Sequence, residues 1–228
     1  MKLRPALLAL LISVSIPATA DAITVKAVQS PSGVETWLSE EHSIPVIAVN
    51  IAFPAGSAYD PSDKPGLSAF VSSLLDEGAG DLPSEAFKQA LEARAIRLGA
   101  SADRDYITVS MTTLKDNADE AFRLLGLVLA HPRFDQEAVE RMRVAILASL
   151  KQEDEQPSTV ASKSWFATYF GTHPYARSDS GTTSGVQAIT INDIKTFAAD
   201  HMVRDRVKMS VAGDIDDRSQ GHAGTHGP

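Results

Sequence analysis

The stretch Pro65-Gly66-Leu67-Ser68-Ala69-Phe70-Val71-Ser72-Ser73-Leu74-Leu75-Asp76-Glu77-Gly78 decides the fold. Within it Leu67, Phe70, Val71, Leu74 and Leu75 recur at the spacing of one helical face. Pro65 suits the first turn of a helix and Gly78 the position just past its end, so a helix is predicted between them. Before this helix, three runs rich in β-branched residues (23–28, 34–38 and 46–53) are separated by turn-forming Pro31-Ser32-Gly33 and Glu41-His42-Ser43. They suggest the antiparallel edge of a sheet. After it, Ser84 suits the N-cap of a second helix running to Leu98 and closed by Gly99. Residues 106–113 alternate polar and apolar, the pattern of a half-buried strand.

Further along, Asp116 and Asp119 open an apolar helix around 122–129 that His131-Pro132 ends. Another helix starts near Asp135, with Val139, Met142, Ile146 and Leu150 on one face, and Pro157-Ser158 divides it from a helical stretch at 160–170. Thr190 caps a helix reaching about His201, and 207–211 reads as a closing strand ending at Gly213-Asp214. Strands first, helices between and a strand to finish predict an α+β domain over residues 23–215. Its antiparallel-rich sheet carries helices packed on one face.

The two ends read differently. Lys2 and Arg4 precede a short apolar run and an Ala-x-Ala exit, the parts of a secretory signal over residues 1–20, with cleavage after residue 20 or 22. Periplasmic or secreted localisation is therefore expected, and no later stretch is apolar enough to span a membrane. Residues 216–228 contain no large apolar residue and read as a disordered tail. An apolar fraction of 43% suits a globular chain, while a net charge of −8 argues against nucleic acid or an anionic membrane surface as partner. With no cysteine, thiol catalysis and disulfides are excluded.

Several landmarks occur in order: Phe53-Pro54-Ala55-Gly56-Ser57, Pro65-Gly66-Leu67-Ser68, Leu98-Gly99-Ala100, His131-Pro132-Arg133-Phe134, Glu140-Arg141, His173-Pro174-Tyr175-Ala176, Gly181-Thr182 and Val211-Ala212-Gly213-Asp214-Ile215. Taken together the chain resembles the amino-terminal domain of bacterial insulinase or pitrilysin-type zinc peptidases, with the carboxy-terminal half of such chains absent. The resemblance implies a site in which His-x-x-Glu-His on the helix after Pro-Gly-Leu supplies two zinc ligands and a general base. Histidines four apart share one helical face and can grip one metal. The third ligand, a glutamate, is implied seven residues after the Glu-Arg landmark.

At those positions stand Ala69, Ser72, Ser73 and Leu147. Zinc needs deprotonated N, S or O ligands, usually three from the protein in a hydrolytic site, which these residues cannot provide. No catalytic, metal-binding or cofactor-binding residue is therefore expected in this chain, and zinc is expected in a catalytic partner. Ser72 and Ser73 read as solvent-facing serines without an adjacent base. Asp76-Glu77 reads as a polar helix end facing water, and Trp37 and Trp165 as packing residues. His131 and His173 read as loop residues. His222 and His226 have the spacing of metal ligands, but lie in a tail with no core to orient them.

The function expected is a non-catalytic subunit of a two-subunit peptidase, contributing scaffold to a peptide-degrading chamber beside a motif-bearing partner of the same family. Two alternatives stand: a truncated, non-functional family remnant, or a peptide-binding module that adds a strand at the edge formed by residues 46–53.

Overall fold

A computed structural model describes residues 24–29 and 33–215. The expected leader (1–20) and tail (216–228) lie outside the described residues. Eight strands are present among the described residues: β1 Lys26–Gln29, β2 Glu35–Glu40, β3 Val46–Phe53, β4 Gly78–Ala79, β5 Leu82–Pro83, β6 Arg97–Ala102, β7 Ile107–Leu114 and β8 Lys208–Gly213. The helices are α1 Leu67–Ser72, α2 Ser84–Glu92, α3 Ala118–Ala130, α4 Gln136–Asp154, α5 Pro157–Phe170, α6 Thr183–Ala188 and α7 Ile191–His201. None of these helices is long and apolar enough to cross a membrane.

The main sheet runs β1-β2-β8-β3-β7-β6, antiparallel throughout except where β2 meets β8. Alternation along the strands sets its two faces. Ile47, Val49, Ile51 and Phe53 of β3 and Ile107, Val109 and Met111 of β7 are buried, and register places Val49 opposite both Met111 and Val211. On this face α1 packs across β6 and β7, and α3 lies over β7. The opposite face carries Asn50, Ser110 and Ser210 in one row. The expected architecture of a mostly antiparallel sheet with helices over its apolar face is therefore present.

Residues 46–53, however, are not an edge. The last strand, β8, inserts between β2 and β3, so β3 is paired on both sides. Gly213 permits this pairing, since a Cβ there would lie 2.0 Å from the Val46 carbonyl oxygen. Chain order conceals a strand brought in from some 150 residues away, and the local alternation of β3 is the same at an edge or in the centre.

The first helix is shorter than its apolar periodicity predicts. Pro65 lies in a turn before it, Gly66 is the N-cap, and the chain leaves the helix after Ser72 to reach β4 through turns. Ser72 Oγ donates to the Ala69 carbonyl at 2.9 Å and Ser73 Oγ to that of Phe70 at 2.8 Å. These local bonds compete with the helical ladder, and the next amides, of Leu74 and Leu75, bond back only three residues. The predicted face is nonetheless buried in full: Leu67, Phe70, Val71, Leu74 and Leu75 all belong to the core.

The second helix also stops early, at Glu92, and Leu98 and Gly99 lie in β6 rather than in a helix and its cap. Ala95 adopts φ 50°, and the Ile96 amide reaches back to the Leu91 carbonyl at 2.9 Å. That reversal buries Ile96 and starts the strand. Ser84 is the first helical residue, not the cap. At α7 the expected cap is present as a reciprocal capping box between Thr190 and Asp193.

What seats α1 is a loop-to-loop contact. Asp60 is buried, and its carboxylate accepts from the Gly66 amide at 2.7 Å and the Ser68 amide at 2.8 Å, serving as the cap that Gly66 cannot provide. Burial pushes the Asp60 carboxyl up, while those amides and the Arg177 guanidinium pull it down; burial prevails. Gly66 (φ 101°) and Gly181 (φ 86°) pass so closely that a Cβ on Gly181 would lie 2.5 Å from Gly66 Cα and from the Pro65 carbonyl oxygen. Gly181→Ala is expected to lower unfolding free energy in urea by about 2–4 kcal/mol, from overpacking and a strained φ. Gly99→Ala, where a Cβ meets nothing within 4 Å, should stay within about 0.5 kcal/mol of the parent.

Candidate functional site

The four positions implied by the sequence resemblance lie on α1, just after it, and on α4, two helices that pack together. Ser72 is 5% exposed, Ala69 and Ser73 are half-buried, and Leu147 packs partly buried against the core. The serines are therefore not the solvent-facing residues expected. Their hydroxyl protons are committed to the carbonyls of Ala69 and Phe70. Among the described residues no histidine, lysine or carboxylate hydrogen-bonds either hydroxyl, so neither serine has the base that nucleophilic attack needs.

A divalent metal does not fit this set. Ala69 and Leu147 carry no donor atom, and a neutral serine hydroxyl is a poor zinc ligand. Arg143, four residues before Leu147 on α4, adds a fixed cation beside α1. Its guanidinium lies 5.1 Å from the Phe70 ring centroid and donates to the carbonyls of Val186 and, at 2.9 Å, Ile189. Among the described residues no group of three or more His, Asp or Glu side chains is placed to hold a metal ion.

Just beyond α1, Asp76 and Glu77 do not face water as a helix end would. Glu77 is 6% exposed and accepts from Lys88 Nζ at 2.6 Å, Ser84 Oγ at 2.5 Å and the Arg141 guanidinium. Burial alone would raise its carboxyl, but the donors from Lys88, Ser84 and Arg141 hold it below its ordinary value. Asp76 is pushed up, by burial first and by the Glu77 charge second. Two carboxyls driven apart resemble an acid–base pair. Here the ionised member is surrounded by three donors from two helices, which ties α2 and the first half of α4 to the end of the α1 turn. This is a structural clamp. Two adjacent acids at the end of an apolar helix were its signal in the sequence, but the donors that enclose Glu77 come from positions up to 64 residues away.

The remaining expected residues separate. His131 ends α3, and His173 lies in a turn where its Nδ1 accepts from the Tyr175 amide at 3.2 Å. His222 and His226 lie outside the described residues. Trp37 and Trp165 are 53% and 55% exposed and so are not core packing residues. Trp165 stacks on Tyr169 (5.1 Å between centroids) along the outer side of α5.

A family model described as Insulinase (Peptidase family M16) matches residues 36–183. A Helicobacter pylori protein named "Non-peptidase homolog YmxG" is 27% identical over 209 residues, covering 92% of this chain and 48% of that protein. Subunit 1 of the Bos taurus mitochondrial cytochrome b-c1 complex is 25% identical over 180 residues, covering 79% of this chain and 38% of that one. The chain thus spans half or less of the length of these relatives. Among solved structures, a peptidase M16 inactive domain from Pseudomonas fluorescens superposes with a TM-score of 0.83 at 24% identity, covering 88% of this chain and 49% of that one.

Because the Glu77 carboxyl is held low, its ion pairs contribute stability that is complete above its ordinary value and is lost as pH falls through the lowered one. Urea unfolding of Glu77→Gln from about pH 3 to 7 should show a loss of about 1–3 kcal/mol at the neutral end, converging on the parent at the acid end.

Proposed function

Because the chain belongs to the insulinase family of peptidases, peptidase family M16, we propose that it is a non-catalytic member. In this reading it lends wall and partner surface to a peptide-degrading chamber completed by a second chain. The observation that carries the reading is an intact α1 core face beside positions that hold Ala69, Ser72, Ser73 and Leu147, with both hydroxyls bonded to the helix's own carbonyls. A scaffold that keeps its packing while presenting no ligand is useful through its shape and surfaces. The zinc and general base belong to the motif-bearing partner, and the pair acts in the periplasm or outside the cell after the leader is removed. Relatives named as a non-peptidase homologue and as an inactive domain support the loss of chemistry. A relative that is a subunit of the cytochrome b-c1 complex supports assembly with other chains.

Affinity purification of the tagged chain from its own host's periplasm, followed by mass spectrometry, tests this. The expected result is a stoichiometric chain bearing His-x-x-Glu-His, with peptide hydrolysis by the pair that a chelator abolishes. Recovery of the chain alone, or only with chaperones, sinks the proposal in favour of a family remnant.

A second reading rests on β6, which pairs only with β7 among the described residues and so forms an edge of the sheet. An extended peptide adding there would gain main-chain hydrogen bonds in place of those expected at residues 46–53. Hydrogen exchange at residues 97–102 should slow when a saturating unstructured peptide is added; binding without that protection rules the edge out.

A further inference from the structure

We propose that the cavity bounded by the β6–β7 turn, α5 and the loop at residues 176–180 binds a compact oxyanion, a carboxylate or phosphate group. This site goes beyond the chamber role and uses none of the four degenerate positions. The cavity measures about 320 Å³, near the lower end of the range for small-ligand pockets. Its charged lining is Arg104, Lys163 and Arg177 against Glu153 and Asp179. Asp154 of α4 adds a third carboxylate, accepting from Lys163 Nζ at 3.0 Å.

Its acids are already engaged. Asp179 accepts from Arg104 Nη1 at 2.9 Å, and Glu153 lies 3.4 Å from Lys163 Nζ. Arg177 donates to backbone carbonyls, of Asp60 at 2.8 Å and Ala58 at 3.2 Å, and no carboxylate among the described residues forms an ion pair with it. Its charge also pulls the nearby Asp60 carboxyl down.

Arg104 is the built part of the site. Phe166 stacks on the guanidinium, with Cζ 3.6 Å from the ring centroid, and so fixes its plane. With Nη1 given to Asp179, Nε and Nη2 make no hydrogen bond among the described residues, and Nε is buried. That edge is the two-pronged fork that matches paired oxygens of a carboxylate or phosphate. The Ser178 hydroxyl, on the same lining, is also buried without a partner. Two residues of one cavity lining that each carry a buried polar atom without a partner are unusual in a folded protein, and an oxyanion held between them would satisfy both.

Isothermal titration of the full chain at fixed ionic strength tests the site with three probes: inorganic phosphate, an acetylated tripeptide with a free C-terminus, and its C-terminal amide. Saturable binding of phosphate or the free acid, and not of the amide, is expected. Phosphate alone would assign a phosphate-bearing ligand, and the acid alone a peptide C-terminus. Arg104→Lys, which keeps the charge and removes the fork, should weaken binding about tenfold. Ser178→Ala should weaken it similarly while leaving the thermal midpoint without anion unchanged or raised, a combination that a merely structural serine would not give. Should Arg104→Lys fail to fold, Ser178→Ala decides alone. Absence of saturable binding below about 10 mM for every probe, or unchanged affinity in Ser178→Ala, overturns the proposal.

Discussion

The arrangement on which the rest of the domain depends is the seating of α1 by two loops from different parts of the chain. The Asp60 carboxylate caps the helix through the Gly66 and Ser68 amides. Arg177 then grips the carbonyl of Asp60 itself, and Gly181 lies against Gly66 with no room for a side chain. The three contacts are mutually dependent. Capping needs the Gly66 turn, the turn needs glycine on both sides, and the 176–181 loop is held in place by the arginine. A buried carboxylate is costly unless its oxygens are satisfied, and this one is satisfied by the backbone it organises.

That dependence explains how the helix persists without the residues the family resemblance leads one to expect. The apolar side of α1 is fixed by the sheet, while Ala69, Ser72 and Ser73 lie off that face, Ser72 buried and the other two half-buried. Small residues there leave the core untouched. Their local consequence is on the helix itself, where two consecutive serines turn their hydroxyls onto preceding carbonyls and the helix gives way to turns. The buried Glu77 then receives three donors just past this break, replacing helical continuity with side-chain hydrogen bonds from α2 and α4.

Several charged contacts lie at junctions between elements. Arg143 links α4 to the end of α6, Lys64 meets Asp193 at 2.6 Å to bring the α1 approach onto α7, and Asp214 accepts from Lys115 at 2.7 Å to tie β8 to the end of β7. The exposed aromatic row of α5 is the exception, since Trp165 and Tyr169 stack on one another but not into the core. A helix with no buried residue of its own is held mainly through its contacts with α4 and the following turn.

Much of this was legible in the residue order. The apolar spacing in 67–75, the alternation of β7, the Thr190 cap and the order of elements are local properties, set by a helical period near 3.6 and a strand period of 2. That Ala69 and Leu147 offer no ligand is a matter of residue chemistry alone, because no fold supplies a donor atom to alanine or leucine. Three things were decided only in three dimensions. β8 enters between β2 and β3, making 46–53 central, because strand pairing is a long-range choice that alternation does not encode. The α1 and α2 helices stop early, because hydroxyl back-bonding and the reversal at Ala95 outweigh a continuing apolar pattern. Arg104, Phe166, Ser178 and Asp179 meet around one cavity, because side chains scattered over 75 residues become neighbours only when the helices and loops that carry them pack together.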